Sequence, residues 1–191
     1  MIVSRDREKL IQAIIFFCKH TKNCRTLKLF KLLNLLDQEH FRQTGRTVTG
    51  LNYSAWKQGP VPPSLWREIS KTPGDDLSKA ITIRSGRDLQ TNNVNWRSLT
   101  PKVPFNQKLF TKREISIMNR LSQLFDDSLS DDMSELSHMK GLPWRKVWAN
   151  GAGDGKDIPH ELSLKAAPLM EDETISENEL TYRRELFAGL R

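Results

Sequence analysis

Only two cysteines, Cys18 and Cys24, occur in 191 residues, too few for the disulfide framework of a small secreted domain. The sequence also lacks an apolar run of ~18 residues, the length a membrane-spanning helix needs. Its longest uncharged apolar stretch, Leu10 to Cys18, contains Gln12. That stretch does not fit a secretion signal, because Asp6 and Glu8 precede it and Lys19 and His20 stand where a small-residue cleavage site belongs. A reducing cytoplasm is the expected compartment. Hydrophobic residues nevertheless make up 37% of the chain, enough for one ordinary core, which excludes global disorder.

Motifs of catalysis and cofactor binding are also missing. There is no G-x-S-x-G nucleophile elbow. Cys18, His20, Cys24 and His40 are zinc-ligand types, but C-x-H-x3-C lacks the short C-x2-4-C turn that aims two thiolates at one ion. Cys18 instead falls on an apolar stripe, where a free cysteine behaves as a small hydrophobe. The run Gly151, Ala152, Gly153, Asp154, Gly155, Lys156 imitates a phosphate cradle. However, Asn150 stands where the motif needs glycine and Asp157 where it needs Ser or Thr, and Asp154 and Asp157 would repel phosphate. A solvated loop is expected there, and no metal or cofactor is expected anywhere.

The charge is present but unevenly spread. The chain carries +7 overall, with a net +13 over residues 1–125 and a net −6 over residues 126–191. Such a split suits an acidic partner for the first part, or attraction between the two parts of one fold. The basic residues, among them Lys28, Lys31, Arg42, Arg46, Lys108, Lys112 and Arg113, form no run. No RNP, KH or zinc-finger signature accompanies them, so nucleic acid is not the expected partner.

Periodicity predicts a mainly α fold. Leu10, Ile11, Ile14, Ile15, Phe17 and Cys18 form the stripe of an amphipathic helix over 5–18. A second helix, capped by Thr26 and ended by Gly45, spans about 26–44 and is apolar on nearly all sides. Such a helix is expected to be central and buried, with the domain compact around it. Residues 46–63 read as extended chain and turns, Pro63–Ser70 as a short helix, and Ala80–Arg84 with Val94–Leu99 as a small β-ribbon over about 80–99. Thr111 to Glu114 has the form of a capping box ahead of Ile115, Met118, Leu121 and Leu124. Shorter helices are expected over Ser130–His138, with Met133 and Leu136 inward, and over Leu142–Trp148. A second capping box at Ser176–Glu179 opens a C-terminal segment with Leu180, Leu186, Phe187 and Leu190 on one side.

Asp37 follows four leucines in the buried helix, and a buried carboxylate must be paired or hydrogen-bonded. It is expected to cap turn amides and anchor the chain from Gly45 to Pro62, with His40 three positions on sharing the network. His138 precedes a Gly-Leu-Pro-Trp stretch and suits a packed, hydrogen-bonded histidine better than a general base.

The stretch from Lys31 to Pro62 reads KLL-x3-D-x2-HFR-x-TGR-x-x-TG-x-x-Y-x-A-W-x-x-G-PVP. This pattern resembles the Panacea domain, also called the SocA-like antitoxin domain. Further matches are the helix after Thr111, the Leu136–His138 ending of the next, Trp144, and the segment from Ile158 to Leu162. The resemblance covers about residues 8–165, leaving 166–191 as a C-terminal extension, expected to be an amphipathic helix. It implies a non-catalytic antitoxin from a bacterial or phage toxin–antitoxin operon, whose partner is a cognate toxin encoded beside it. In one branch of the family the antitoxin is an adaptor that hands its toxin to the ClpXP protease. In others it blocks the toxin directly. Asp37, His40, Gly45, Gly59, Pro60, His138 and Trp144 belong to the structural motif. Tyr53, Trp56, Lys57, Trp66 and Arg67 combine aromatic area and positive charge as interfaces do, with core packing the competing explanation for the three aromatics. A nucleic-acid-binding regulator and a hydrolase using Asp37 or His138 are the alternatives.

Overall fold

The structure, a computed structural model, describes residues 5–87, 94–128, 142–166 and 177–188. The helix expected over 130–138, with His138, lies outside the described residues. Helix α1 (Asp6–His20) opens with Asp6 and Glu8 and closes with Lys19 and His20, each sign opposing the helix dipole at its end. From Leu10 to Phe17 every residue but Gln12 is buried. Its outer end is tied down by Arg7, whose guanidinium donates to Glu68 (2.6 and 2.9 Å) and Asp76 (2.7 Å).

Helix α2 (Thr26–Thr44) is buried at every position from Lys28 to Gln43, polar residues included. It does not begin as expected. Thr26 lies inside the helix and donates its hydroxyl to Arg97 O at 3.1 Å, while Arg25 occupies the cap position without a side-chain bond. At the other end Gly45 takes the left-handed conformation (φ 72°), and its N–H donates to Phe41 O at 2.7 Å, a common helix stop that glycine adopts without steric cost.

After α2 come strands β1 (Tyr53–Trp56) and β2 (Gly59–Val61), helix α3 (Pro63–Ser70), helix α4 (Asp75–Ala80), and strands β3 (Ile81–Arg87) and β4 (Val94–Pro101). Helix α5 (Lys112–Leu124) carries the full capping box, with Thr111 and Glu114 each accepting from the other's N–H. Helix α6 (Pro143–Trp148), strand β5 (Asp157–Ile158) and helix α7 (Glu177–Ala188) complete the described elements, with 3-10 turns at 107–109, 149–151 and 160–165. The fold is mainly helical.

Among the described residues there are two small antiparallel sheets rather than one ribbon. Strands β3 and β4 form the hairpin expected from the sequence. The second sheet, in the order β2-β1-β5, takes β1 and β2 from the segment that reads as extended chain and turns, and β5 from the expected loop at 149–159. Its strands have two to four residues, too few for an alternation to show. Pro60 sits on its edge strand, opposite Ala55, where a missing N–H is tolerated.

The stretch 149–159 is exposed at Ala152 and from Asp154 to Asp157, as expected of a solvated loop, but its backbone is tied to β1. Gly155 N donates to Ala55 O and Ala55 N donates to Lys156 O, both at 2.8 Å, and β5 continues the ladder on β1. Gly153 lies so close to the preceding helix that a Cβ there would sit 1.7 Å from Val147 O. Backbone cannot yield as a flexible side-chain tip does. Gly153→Ala should therefore cost ~3 kcal/mol, the upper end for an overpacked site, and lower the melting temperature by roughly 6–12 °C. Calorimetry showing an unchanged midpoint would contradict this close approach.

In the C-terminal extension, α7 contacts the domain through one residue of its expected apolar side and exposes another. Phe187 rests on Phe41 at 5.2 Å between ring centroids, but Tyr182 is 63% and Leu186 47% exposed.

Candidate partner-binding site

The site is built outward from α2. Asp37, fully buried, accepts hydrogen bonds from Val48 N (2.8 Å), Thr49 N (2.9 Å), the Thr49 hydroxyl and the Tyr53 hydroxyl (2.8 Å). Burial raises its pKa, and the four donors pull the other way. One carboxylate therefore holds the chain leaving α2 in register with the first residue of β1.

Neighbouring polar groups on α2 are also engaged by the protein. His40 Nδ1 donates to Arg46 O at 2.7 Å, and burial lowers the ring's pKa, favouring the neutral form. Glu114, next to His40 Nε2 at 3.9 Å, accepts from Lys9 Nζ at 2.6 Å and Thr111 N at 2.7 Å. Arg42 and Gln43 both donate to Glu39. These groups brace backbone and one another, which is the chemistry of a rigid scaffold.

His160 falls in the Ile158–Leu162 segment that matches the family pattern, but the sequence gives no sign of its partners. It bonds Leu51 O at 3.0 Å and stacks on Phe41 of α2 at 5.7 Å, tying the 46–53 segment to the helix that carries Asp37. A separation of 109 residues from Leu51 leaves no local pattern that would disclose it.

The anchored hairpin then carries the aromatic candidates. Tyr53 is only 1% exposed and bonded to Asp37, so it belongs to the scaffold and not to a binding surface, a correction forced by its inward position on β1. Trp56 is half-buried and meets the half-buried Trp66 edge to face at 5.3 Å. Beneath them Trp144 is buried, donates its indole N–H to Trp56 O at 3.0 Å and stacks on Trp148. Lys57 on the β1–β2 turn and Arg67 on α3 are exposed. Gly59 is buried with φ 123° and, with Pro60, shapes the hairpin. Thus Trp56 and Trp66 meet, with Trp144 bonded to the backbone of Trp56, and each has an exposed cation, Lys57 or Arg67, as its next residue in the chain.

Residues 29–145 match a family model described as Antitoxin SocA-like, Panacea domain. The chain belongs to this family. The Panacea match takes in Asp37, the hairpin, α3 and Trp144, and it is narrower than the 8–165 extent expected from the motifs. Outside it lie α1, His160 and α7, although Arg7, Lys9 and His160 all bond to residues within it. No curated protein and no solved structure matches the chain. Among the described residues no group of three or more His, Cys, Asp or Glu is placed to hold a metal ion, and no helix is long and apolar enough to cross a membrane.

Proposed function

We propose that this Panacea protein is a non-catalytic antitoxin that binds and neutralises a toxin protein encoded beside it. Membership in an antitoxin family carries the reading. The geometry supports it, since among the described residues Asp37, His40 and Glu114 are occupied by backbone and side-chain partners.

The binding face is the Trp56, Lys57, Trp66 and Arg67 neighbourhood. Half-buried tryptophans on a braced hairpin offer apolar area with little entropy left to lose, and the two exposed cations favour a partner surface with carboxylates around an apolar contact. Direct blocking and delivery to a protease both begin with this contact.

Co-expression with the neighbouring gene tests the reading. The neighbour alone should arrest growth, and this chain should restore it. A neighbour that is harmless by itself would overturn the antitoxin assignment.

A further inference from the structure

A second piece of chemistry lies away from the hairpin, at the junction of α1 and α2. Cys18, near the end of α1, and Cys24, just before α2, are free thiols whose sulfurs stand 3.5 Å apart. The connection between them is a tight turn in which Asn23 adopts φ 51° and Arg25 N donates to Asn23 O at 2.6 Å. Thr21 donates its hydroxyl to Phe17 O at 2.8 Å, and Lys28, from α2, donates to Lys22 O (2.7 Å) and Asp126 O (2.8 Å). The turn is therefore clamped from both helices, and the clamp keeps the two sulfurs in contact.

We propose that Cys18 and Cys24 are a redox-active dithiol that small peroxides close to an intramolecular disulfide. The two thiols are not equivalent. Cys18 donates its S–H towards Cys24, and this bond, with help from Thr21 and the nearby Lys28 ammonium, lowers the Cys24 pKa, whereas the Cys18 pKa is raised. Cys24 is thus the nucleophile and Cys18 the resolving thiol.

In the first step the Cys24 thiolate attacks one peroxide oxygen. The O–O bond breaks, a Cys24 sulfenic acid forms, and the departing hydroxide takes a proton to become water. In the second step the Cys18 sulfur attacks the Cys24 sulfur, the S–S bond forms, and the sulfenic hydroxyl leaves with the Cys18 proton as a second water. Two thiols are oxidised and one peroxide is reduced to two waters. The oxidant is small because Cys24 is only 8% exposed. Closing the bond requires the sulfurs to approach from 3.5 Å to ~2.05 Å.

The test uses the full chain treated with a slight molar excess of hydrogen peroxide. Denatured thiol counts should fall from two to none per chain, and the intact mass should drop by two hydrogen atoms. Digestion should yield a Cys18–Cys24 linked pair of peptides, and dithiothreitol should reverse all three changes. In Cys18→Ser the reaction should stop at the sulfenic acid, trapped on Cys24 by dimedone, and in Cys24→Ser thiol loss should slow at least tenfold. Two thiols persisting in the treated wild-type chain, a link found only between chains, or oxidation straight to sulfinic acid would each overturn the proposal. The wild-type count decides it even where a variant fails to fold.

Discussion

Asp37→Asn is expected to lower the melting temperature by roughly 5–10 °C and to weaken toxin neutralisation in parallel. The carboxylate accepts from four donors at once. An asparagine carbonyl can still accept from the amides of Val48 and Thr49, but its amide group would present hydrogens to the hydroxyls of Thr49 and Tyr53. Both hydroxyls would then lose their acceptor in a site with no exposure, at ~1–3 kcal/mol for each buried group left unsatisfied. The 46–53 segment would loosen, and with it the hairpin that carries Trp56. Tyr53→Phe removes one donor and leaves the rest, so it should show a smaller loss of ~1 kcal/mol. Differential scanning calorimetry and the rescue assay should move together. Unchanged stability with lost rescue would show that Asp37 acts on a partner rather than on its own chain.

The double substitution Trp66→Ala with Arg67→Ala should abolish growth rescue while leaving a folded protein. Truncating a central interface aromatic costs ~2 kcal/mol or more, about thirtyfold in affinity. Arg67 is exposed, and among the described residues its side chain bonds locally to Pro63 O at 3.2 Å, so its removal should hardly disturb the fold. Trp66 is half-buried against Trp56, and its loss should take a few degrees from the melting temperature without changing the circular dichroism spectrum. Lys57→Glu keeps the test decisive, because Lys57 is exposed on the turn and a reversed charge should impair rescue with no change in stability. If the neighbour is toxic and both variants still rescue, the partner binds elsewhere on the molecule.

Local chemistry in the sequence was enough to determine α1, α2, α3, α5 and α6, most of their ends and the family, but not α4, whose last residue, Ala80, reads as the start of the ribbon. The stripe of α1, the glycine that stops α2 and the capping box of α5 act over a few residues, and the KLL-to-PVP pattern is one continuous stretch, so all are legible without a fold. A carboxylate after four leucines demanded partners, and Val48, Thr49 and Tyr53 lie only 11 to 16 residues away.

Other features depend on residues that meet across the whole chain. Strands β1, β2 and β5 are too short to show a period, and β5 joins β1 from about a hundred residues away. Tyr53 and Trp56 look alike as sequence, and only the register of β1, with Trp144 bonded to it, sends one inward to Asp37 and leaves the other half-buried against Trp66 of α3. The same holds for Thr26, whose hydroxyl was drawn away from capping by a carbonyl of β4. Propensity chooses among local conformations separated by fractions of a kcal/mol to ~1 kcal/mol, whereas burial and satisfied hydrogen bonds, worth more per residue, choose which face is kept inside.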